Sequence, residues 1–105
     1  MIIQAFDDLA FESLADFKWH VVHGCEVMFL WKEKCYSITH PEGLICVGEG
    51  YYSKDGKAYN LLSHTEYNTD NCIQSYNVDD IMDYVIDGDR LGDIATKIGI
   101  VDRTT

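Results

Sequence analysis

The chain has 105 residues, with 18 acidic and 8 basic side chains and a formal net charge of −10 at pH 7. A chain of this length encloses one core, so we predict a single domain over residues 1–105. Its apolar fraction of 47% is that of a folded protein and excludes an acidic disordered tail. Because phosphates select for lysine and arginine, the charge argues against direct nucleic-acid binding and favours a basic protein partner.

The first predicted helix begins after Ser13, whose hydroxyl can cap it while Asp16 stands three residues on, and it ends at Gly24. Residues 6–11 before it are apolar around an acidic pair and fit either an edge strand or a short extra turn. At 100° per residue, three apolar side chains fall on one side of the helix. The residues predicted to pack into the core are Leu14, Phe17 and Val21.

From Cys25 the hydrophobic period changes to two, which is typical of strands. A polar turn at residues 32–34 and another at 41–43 separate the first three strands, and glycines around Glu49 indicate a bulge or bend. Asp55-Gly56 favours a type I′ turn in a further hairpin. The predicted strands are 26–31, 35–40, 44–47, 51–52 and 58–61, which together form an antiparallel meander of four to five strands.

The last third of the chain reads as a polar surface loop at 63–76 followed by two short helices. Asn77 can cap a helix over 78–87 that Gly88 closes, and Asp89 can cap another over 90–98 that Gly99 closes. Residues 100–105 can add a short strand. We therefore predict an α+β fold, in which an N-terminal helix and two short C-terminal helices accompany the antiparallel meander.

Most of the negative charge lies in one segment. Residues 58–93 hold eight acidic side chains and one arginine, a net charge of −7. A helix over 78–87 would align four aspartates in one stripe, although like charges four residues apart destabilise a helix. Such a stripe can dock into a cationic groove, or it can be a solvated face that keeps the protein soluble. The predicted partner-binding residues are Glu66, Asp70, Asp79, Asp80, Asp83, Asp87 and Asp89.

Motifs for catalysis are missing from the sequence, which has no G-x-S-x-G elbow, no phosphate-binding loop and no dinucleotide fingerprint. We therefore predict a non-enzymatic protein without a cofactor. The alternative is a small metal-dependent hydrolase that uses Asp16, His20 and His23 on one side of the first helix, with a further ligand from His40 or His64. A second alternative is a structural or assembly protein of a mobile element.

The four cysteines are Cys25, Cys35, Cys46 and Cys72. Structural zinc sites place their cysteines in close pairs, and no such pair occurs here. Residues 1–8 have neither the basic segment nor the apolar run of a secretory signal, and no apolar stretch is long enough to span a membrane. We therefore expect a cytoplasmic protein with buried, unreactive thiols.

Aromatic side chains give a second candidate surface. On the predicted first helix Trp19 points away from the apolar stripe, and an exposed tryptophan is a natural anchor for a partner. Tyrosines gather around the predicted loop and favour protein recognition as well. They are Tyr51, Tyr52, Tyr59, Tyr67 and Tyr76.

A set of residues spread along the chain carries a resemblance to a known class of proteins: 17–24, Glu26, Phe29, Trp31, Lys32, Lys34, 36–40 and 87–91. Over about two thirds of its length the chain resembles small proteins from phages and integrated elements of low-GC Gram-positive bacteria. Proteins of this size and acidity in such elements include anti-CRISPR inhibitors, several of which present carboxylates to the nucleic-acid-binding groove of an effector nuclease. The resemblance implies a phage-encoded inhibitor that blocks a basic surface of a CRISPR effector nuclease.

Overall fold

The computed structural model describes residues 4–68 and 72–104, and it has the predicted α+β class. Its helices are α1 (Leu14–Val22), α2 (Val78–Met82) and α3 (Leu91–Ile94). Its strands are β1 (Val27–Trp31), β2 (Lys34–Thr39), β3 (Ile45–Glu49), β4 (Tyr51–Lys54), β5 (Lys57–Asn60), β6 (Ile73–Ser75), β7 (Val85–Ile86), β8 (Asp89–Arg90) and β9 (Gly99–Arg103).

Five of these strands form one antiparallel sheet in the order β6-β3-β2-β1-β9. The strands β1, β2 and β3 are the first three of the predicted meander, and the predicted C-terminal strand pairs with β1. The remaining predicted strands of the meander, 51–52 and 58–61, lie outside this sheet. Two hairpins stand apart from this sheet, one formed by β4 and β5 and the other by β7 and β8. The β6 strand lies inside the segment predicted as a loop, so that segment is partly held against the sheet edge.

The core lies between one face of the sheet and the three helices. Alternation along the strands sends Phe29, Ile38 and Val47 to this face, where all three are fully buried. Phe17 of α1 and Leu91 of α3 pack into the same cluster.

The N-terminal segment settles an alternative that the sequence left open. Residues Asp7–Leu9 form a 3-10 turn and not a strand, and the Phe6 amide donates to the Ile100 carbonyl over 2.8 Å. The helix that follows has nine residues. Within the ranges described, no helix is both long and apolar enough to cross a membrane.

The Ser13 cap is confirmed, because its Oγ accepts the Asp16 amide over 3.0 Å. We expect Ser13→Ala to lower the free energy of unfolding by about 1 kcal/mol, since that amide loses its partner. Urea unfolding followed by circular dichroism measures the difference. Ser53→Ala, at an exposed position of β4, is the control, and an equal loss in both variants would contradict the assigned cap.

The helix predicted over 78–87 is wrong beyond Met82. Asp87 and Gly88 have φ of 52° and 89°, as a type I′ turn requires, and they reverse the chain between β7 and β8. This reversal buries Ile86, which is 1% exposed.

The third predicted helix is also shorter than expected, because it spans only Leu91–Ile94. Asp89 belongs to β8 and does not cap it, and Arg90 at the N-cap position makes no capping bond through its side chain. The chain then turns at residues 95–97 and enters β9.

Candidate protein-binding surface

The aspartates predicted to form one stripe along a helix lie on different elements of the structure. Asp79 and Asp80 lie in the first turn of α2, Asp83 ends that helix, and Asp87 stands in the turn of the β7–β8 hairpin. The stripe is therefore wrong as a helical feature, because the helix ends before its last member. Among the other predicted partner-binding residues, Glu66 is exposed beside β5, Asp89 lies in β8, and Asp70 is outside the described residues.

Two of these aspartates already have cationic partners within the chain. Lys18 Nζ of α1 lies 2.6 Å from Asp79 Oδ1, and Arg90 Nη2 lies 2.6 Å from Asp83 Oδ1. Arg90 also contacts Asp93 over 3.3 Å. The aspartate side chains in the two short pairs are 68% and 65% exposed. They remain open to a partner, but their field is partly cancelled.

Asp89 is held more closely than the others. Its Oδ2 accepts from Lys32 Nζ over 2.8 Å and from the indole Nε1 of Trp31 over 3.0 Å. The hydrogen bond from Lys32, followed by that from Trp31, lowers the pKa of the Asp89 carboxyl. These bonds fasten the β7–β8 hairpin to β1. The geometry thus gives Asp89 a structural role inside the fold.

Three predicted carboxylates face solvent without such cationic pairing in the described structure: Asp80, Asp87 and Glu66. Asp80 accepts a hydrogen bond from Ser75 Oγ over 2.8 Å, and the Asp87 backbone carbonyl lies 3.4 Å from Lys32 Nζ. The surface remains acidic overall, but its charge is not one continuous row.

The proposed metal ligands on α1 do not converge. Asp16 Oδ1 lies 3.1 Å from His20 Nδ1, and that same nitrogen is 2.9 Å from the Asp16 carbonyl. The His23 Nδ1 instead faces the Trp19 carbonyl at 2.7 Å. Over residues 4–68 and 72–104, no group of three or more histidine, cysteine, aspartate or glutamate side chains is arranged to hold a metal ion.

The most apolar exposed surface lies on α1. Three of its side chains are largely open to solvent: Leu14 at 41%, Trp19 at 57% and Val22 at 56%. With Val78 at the start of α2 they line a shallow groove of about 630 Å³, which also includes Ala15, Lys18 and His23. We call the set Leu14, Trp19, Val22 and Val78 the Trp19 patch.

Helical geometry explains why α1 has two apolar faces. Phe17 and Val21 are four residues apart and fully buried, whereas Trp19 and Val22 are three apart and point outward. The prediction that Leu14 packs with the buried pair is wrong, because Leu14 belongs to the outward face. The helix therefore carries more apolar surface than its own packing uses.

Neighbouring groups hold the Trp19 patch in place. The His23 imidazole stacks on the Trp19 indole with ring centroids 4.0 Å apart and planes 19° apart. The ion pair between Lys18 and Asp79 joins α1 to α2 beside Val78. A partner would thus meet a largely preformed surface, which limits the ordering that binding requires.

A second concave region lies where the sheet meets the β7–β8 hairpin. A groove of about 370 Å³ is lined by Glu49, Glu66 and three tyrosines. Burial is the main cause that raises the pKa of the Tyr36 hydroxyl, to about 12, and it also raises those of Tyr67 and Tyr84. These hydroxyls are therefore neutral hydrogen-bond donors near pH 7, suited to recognition and not to proton abstraction.

Comparison with protein-family models, with curated proteins and with solved structures finds no match for this chain. The site thus has to be judged by its own geometry. Sequence reasoning singled out Trp19 but missed Val22 and Val78 as its neighbours. The sequence does contain a signal for this face, because the apolar residues of α1 cover more of the helix than the one face that a small sheet can bury.

Proposed function

We propose that this protein is a non-enzymatic binding module that docks on a basic protein through the Trp19 patch and the acidic side chains beside it. The observation that carries the proposal is the exposure of Leu14, Trp19 and Val22 together on one helix face. Single exposed apolar residues are common on proteins, but a contiguous group around a tryptophan is typical of an interface.

The charge around the patch supports a basic partner. Asp79 and Asp80 of α2 lie beside Val78, and the whole chain carries a net charge of −10. Protein interfaces usually have an apolar centre and a charged rim. The charges of the rim raise the association rate and contribute to specificity. The complementary surface is an apolar side chain or cleft bordered by lysine and arginine.

The nucleic-acid-binding groove of a CRISPR effector nuclease is one surface of this kind. The support for this partner is the acidity of the chain and its resemblance to small proteins of phages and integrated elements, among which such inhibitors occur. In that proposal the protein inhibits by occupying the groove, and the carboxylates stand where phosphates would lie. Inhibition would then weaken as salt rises, because salt screens exposed charges beyond about 10 Å at 0.1 M.

We expect Trp19→Ala to weaken partner binding by about 2 kcal/mol, or roughly 30-fold, with little change in stability. The matched control is Tyr76→Ala, since Tyr76 is a 76% exposed aromatic outside the patch. Affinity capture at low and high salt identifies a bound protein, and calorimetry with that purified protein measures the Kd of each variant.

The proposal requires that wild type and Tyr76→Ala bind the captured protein equally while Trp19→Ala does not. Equal binding by all three would remove the Trp19 patch as the contact. Sedimentation of the protein alone tests the assembly alternative, because a stable oligomer that Trp19→Ala dissolves would mean that the patch joins copies of this chain. An Asp80→Asn variant that keeps the full salt dependence would exclude that carboxylate from the rim.

A further inference from the structure

Two cysteines meet on the face of the sheet opposite the core. Cys46 lies in β3 and pairs with Gln74 of β6, while Cys72 comes two residues before Gln74. Cys72 directly precedes β6, and the Gln74 side-chain amide lies near both sulfurs, so the three side chains are on the same side of the sheet. The fold thus joins thiols that are 26 residues apart in the sequence.

The two thiols are close neighbours in the fold. The side-chain amide Nε2 of Gln74 lies 3.9 Å from each sulfur. Both cysteines are half-buried and border a groove of about 310 Å³ that is open to solvent.

Gly48 makes room for this arrangement. A Cβ atom at that position would stand 2.8 Å from the Cys72 Cβ and 3.3 Å from the Cys72 Cα, closer than side chains approach. A larger residue would therefore push Cys72 away from β3. The close approach of the two cysteines depends on a glycine opposite Ser37 at the centre of this face.

The other two cysteines behave as the sequence predicted. Cys25 and Cys35 are 5% and 3% exposed, and burial raises the pKa of the Cys35 thiol to about 11. The prediction of buried thiols is wrong for Cys46 and Cys72, which are half-buried. The pairing of β6 with β3 brings these two residues together and cannot be read from their separation in the sequence.

We propose that Cys46 and Cys72 form a redox-modification site that closes to an intramolecular disulfide by exchange with glutathione disulfide. One protein thiolate attacks a glutathione sulfur, so that a protein–glutathione disulfide forms, the glutathione S–S bond breaks and one glutathione thiolate leaves. The second protein thiolate then attacks the bound protein sulfur and releases the other glutathione thiolate. Two protein thiols are oxidised, one glutathione disulfide is reduced, and the two thiol protons pass to the released glutathiones.

The second step is intramolecular between neighbouring groups, so the mixed disulfide should be short-lived. The resulting bond would tie β3 to the start of β6 and enclose the β4–β5 hairpin in a closed loop. This inference does not depend on the Trp19 patch, which lies on α1 and the start of α2.

The test is to incubate the native full chain with glutathione disulfide, block the remaining thiols and map peptides without reduction. We expect the four free thiols to fall to two, with one peptide linking residues 46 and 72 and with residues 25 and 35 still alkylated. The same treatment in concentrated urea should give a mixture of pairings, which shows that the native pairing comes from the fold.

Cys46→Ser and Cys72→Ser should each keep three thiols or hold a stable mixed disulfide with glutathione. If either serine variant does not fold, the corresponding alanine variant replaces it, and the map of the native wild-type chain decides the question alone. Four unreacted thiols in that chain, a persistent glutathione adduct or a link to another cysteine would overturn the proposal.

Discussion

Replacing Phe17 with alanine is expected to lower the free energy of unfolding by about 3–5 kcal/mol. Phe17 is fully buried, and its ring meets that of Phe11 edge-on with centroids 4.9 Å apart. Phe11 in turn lies under the Arg103 guanidinium, 4.4 Å from the ring centroid. Removal of the Phe17 ring would therefore loosen both the contact of α1 with the core and the contact of the N-terminal segment with β9.

Urea unfolding measures this loss, and Trp19→Ala on the same helix is the control. Trp19 is two residues away but 57% exposed, so its removal should change stability by no more than about 0.5 kcal/mol. A large loss from Trp19→Ala would mean that the patch is part of the core. A small loss from Phe17→Ala would contradict the way α1 is packed.

The first half of the fold could be predicted because its signals are local. Ser13 caps α1 by accepting the backbone amide of the residue three positions on. The alternation of apolar residues from Val27 to Ile38 places buried side chains on one face of β1 and β2. Asp55 and Gly56 also make their turn without help from distant residues, with φ of 53° and 78°. In each case the favoured local structure and the tertiary structure agree.

Both predicted C-terminal helices are present but shorter than predicted, and the first of them ends early where two local signals compete. Val78, Ile81, Met82 and Val85 recur at helical spacing, yet Asp87 and Gly88 favour a tight hairpin turn. The hairpin wins because it buries Ile86, whereas Val85 is left 60% exposed. A helical wheel treats the segment in isolation and cannot weigh that difference in burial.

The candidate site was predictable only in part for a related reason. The acidic excess of residues 58–93 is real, but Lys18 and Lys32 come from the first half of the chain to pair with Asp79 and Asp89. Charge counted along the sequence misses these tertiary pairs. The same limit hid the contact of Val78 with α1 and that of Cys46 with Cys72.

Alkaline pH is expected to destabilise the protein from about pH 9 upward. Burial is the largest cause that raises the pKa of three tyrosines and three cysteines above their ordinary values of 10 and 9. The folded state keeps these protons at a pH where the unfolded chain has lost them, so stability is full below the unfolded pKa and falls as pH rises through the folded one. The groups are Tyr36, Tyr67, Tyr84, Cys25, Cys35 and Cys46.

Tyr36 offers the clearest test, because its pKa rises to about 12 and its side chain is 4% exposed. Between pH 10 and 12 the ionisation of Tyr36 should lower the free energy of unfolding by about 1–2 kcal/mol, after allowance for screening by solvent. Tyr36→Phe keeps the ring and removes the proton, so urea unfolding across this range should show a flatter decline. The pH profile of Tyr76→Phe, a variant at an exposed site, should match that of wild type. If the Tyr36→Phe profile is as steep as that of wild type, Tyr36 ionises as freely in the folded protein as in the unfolded chain.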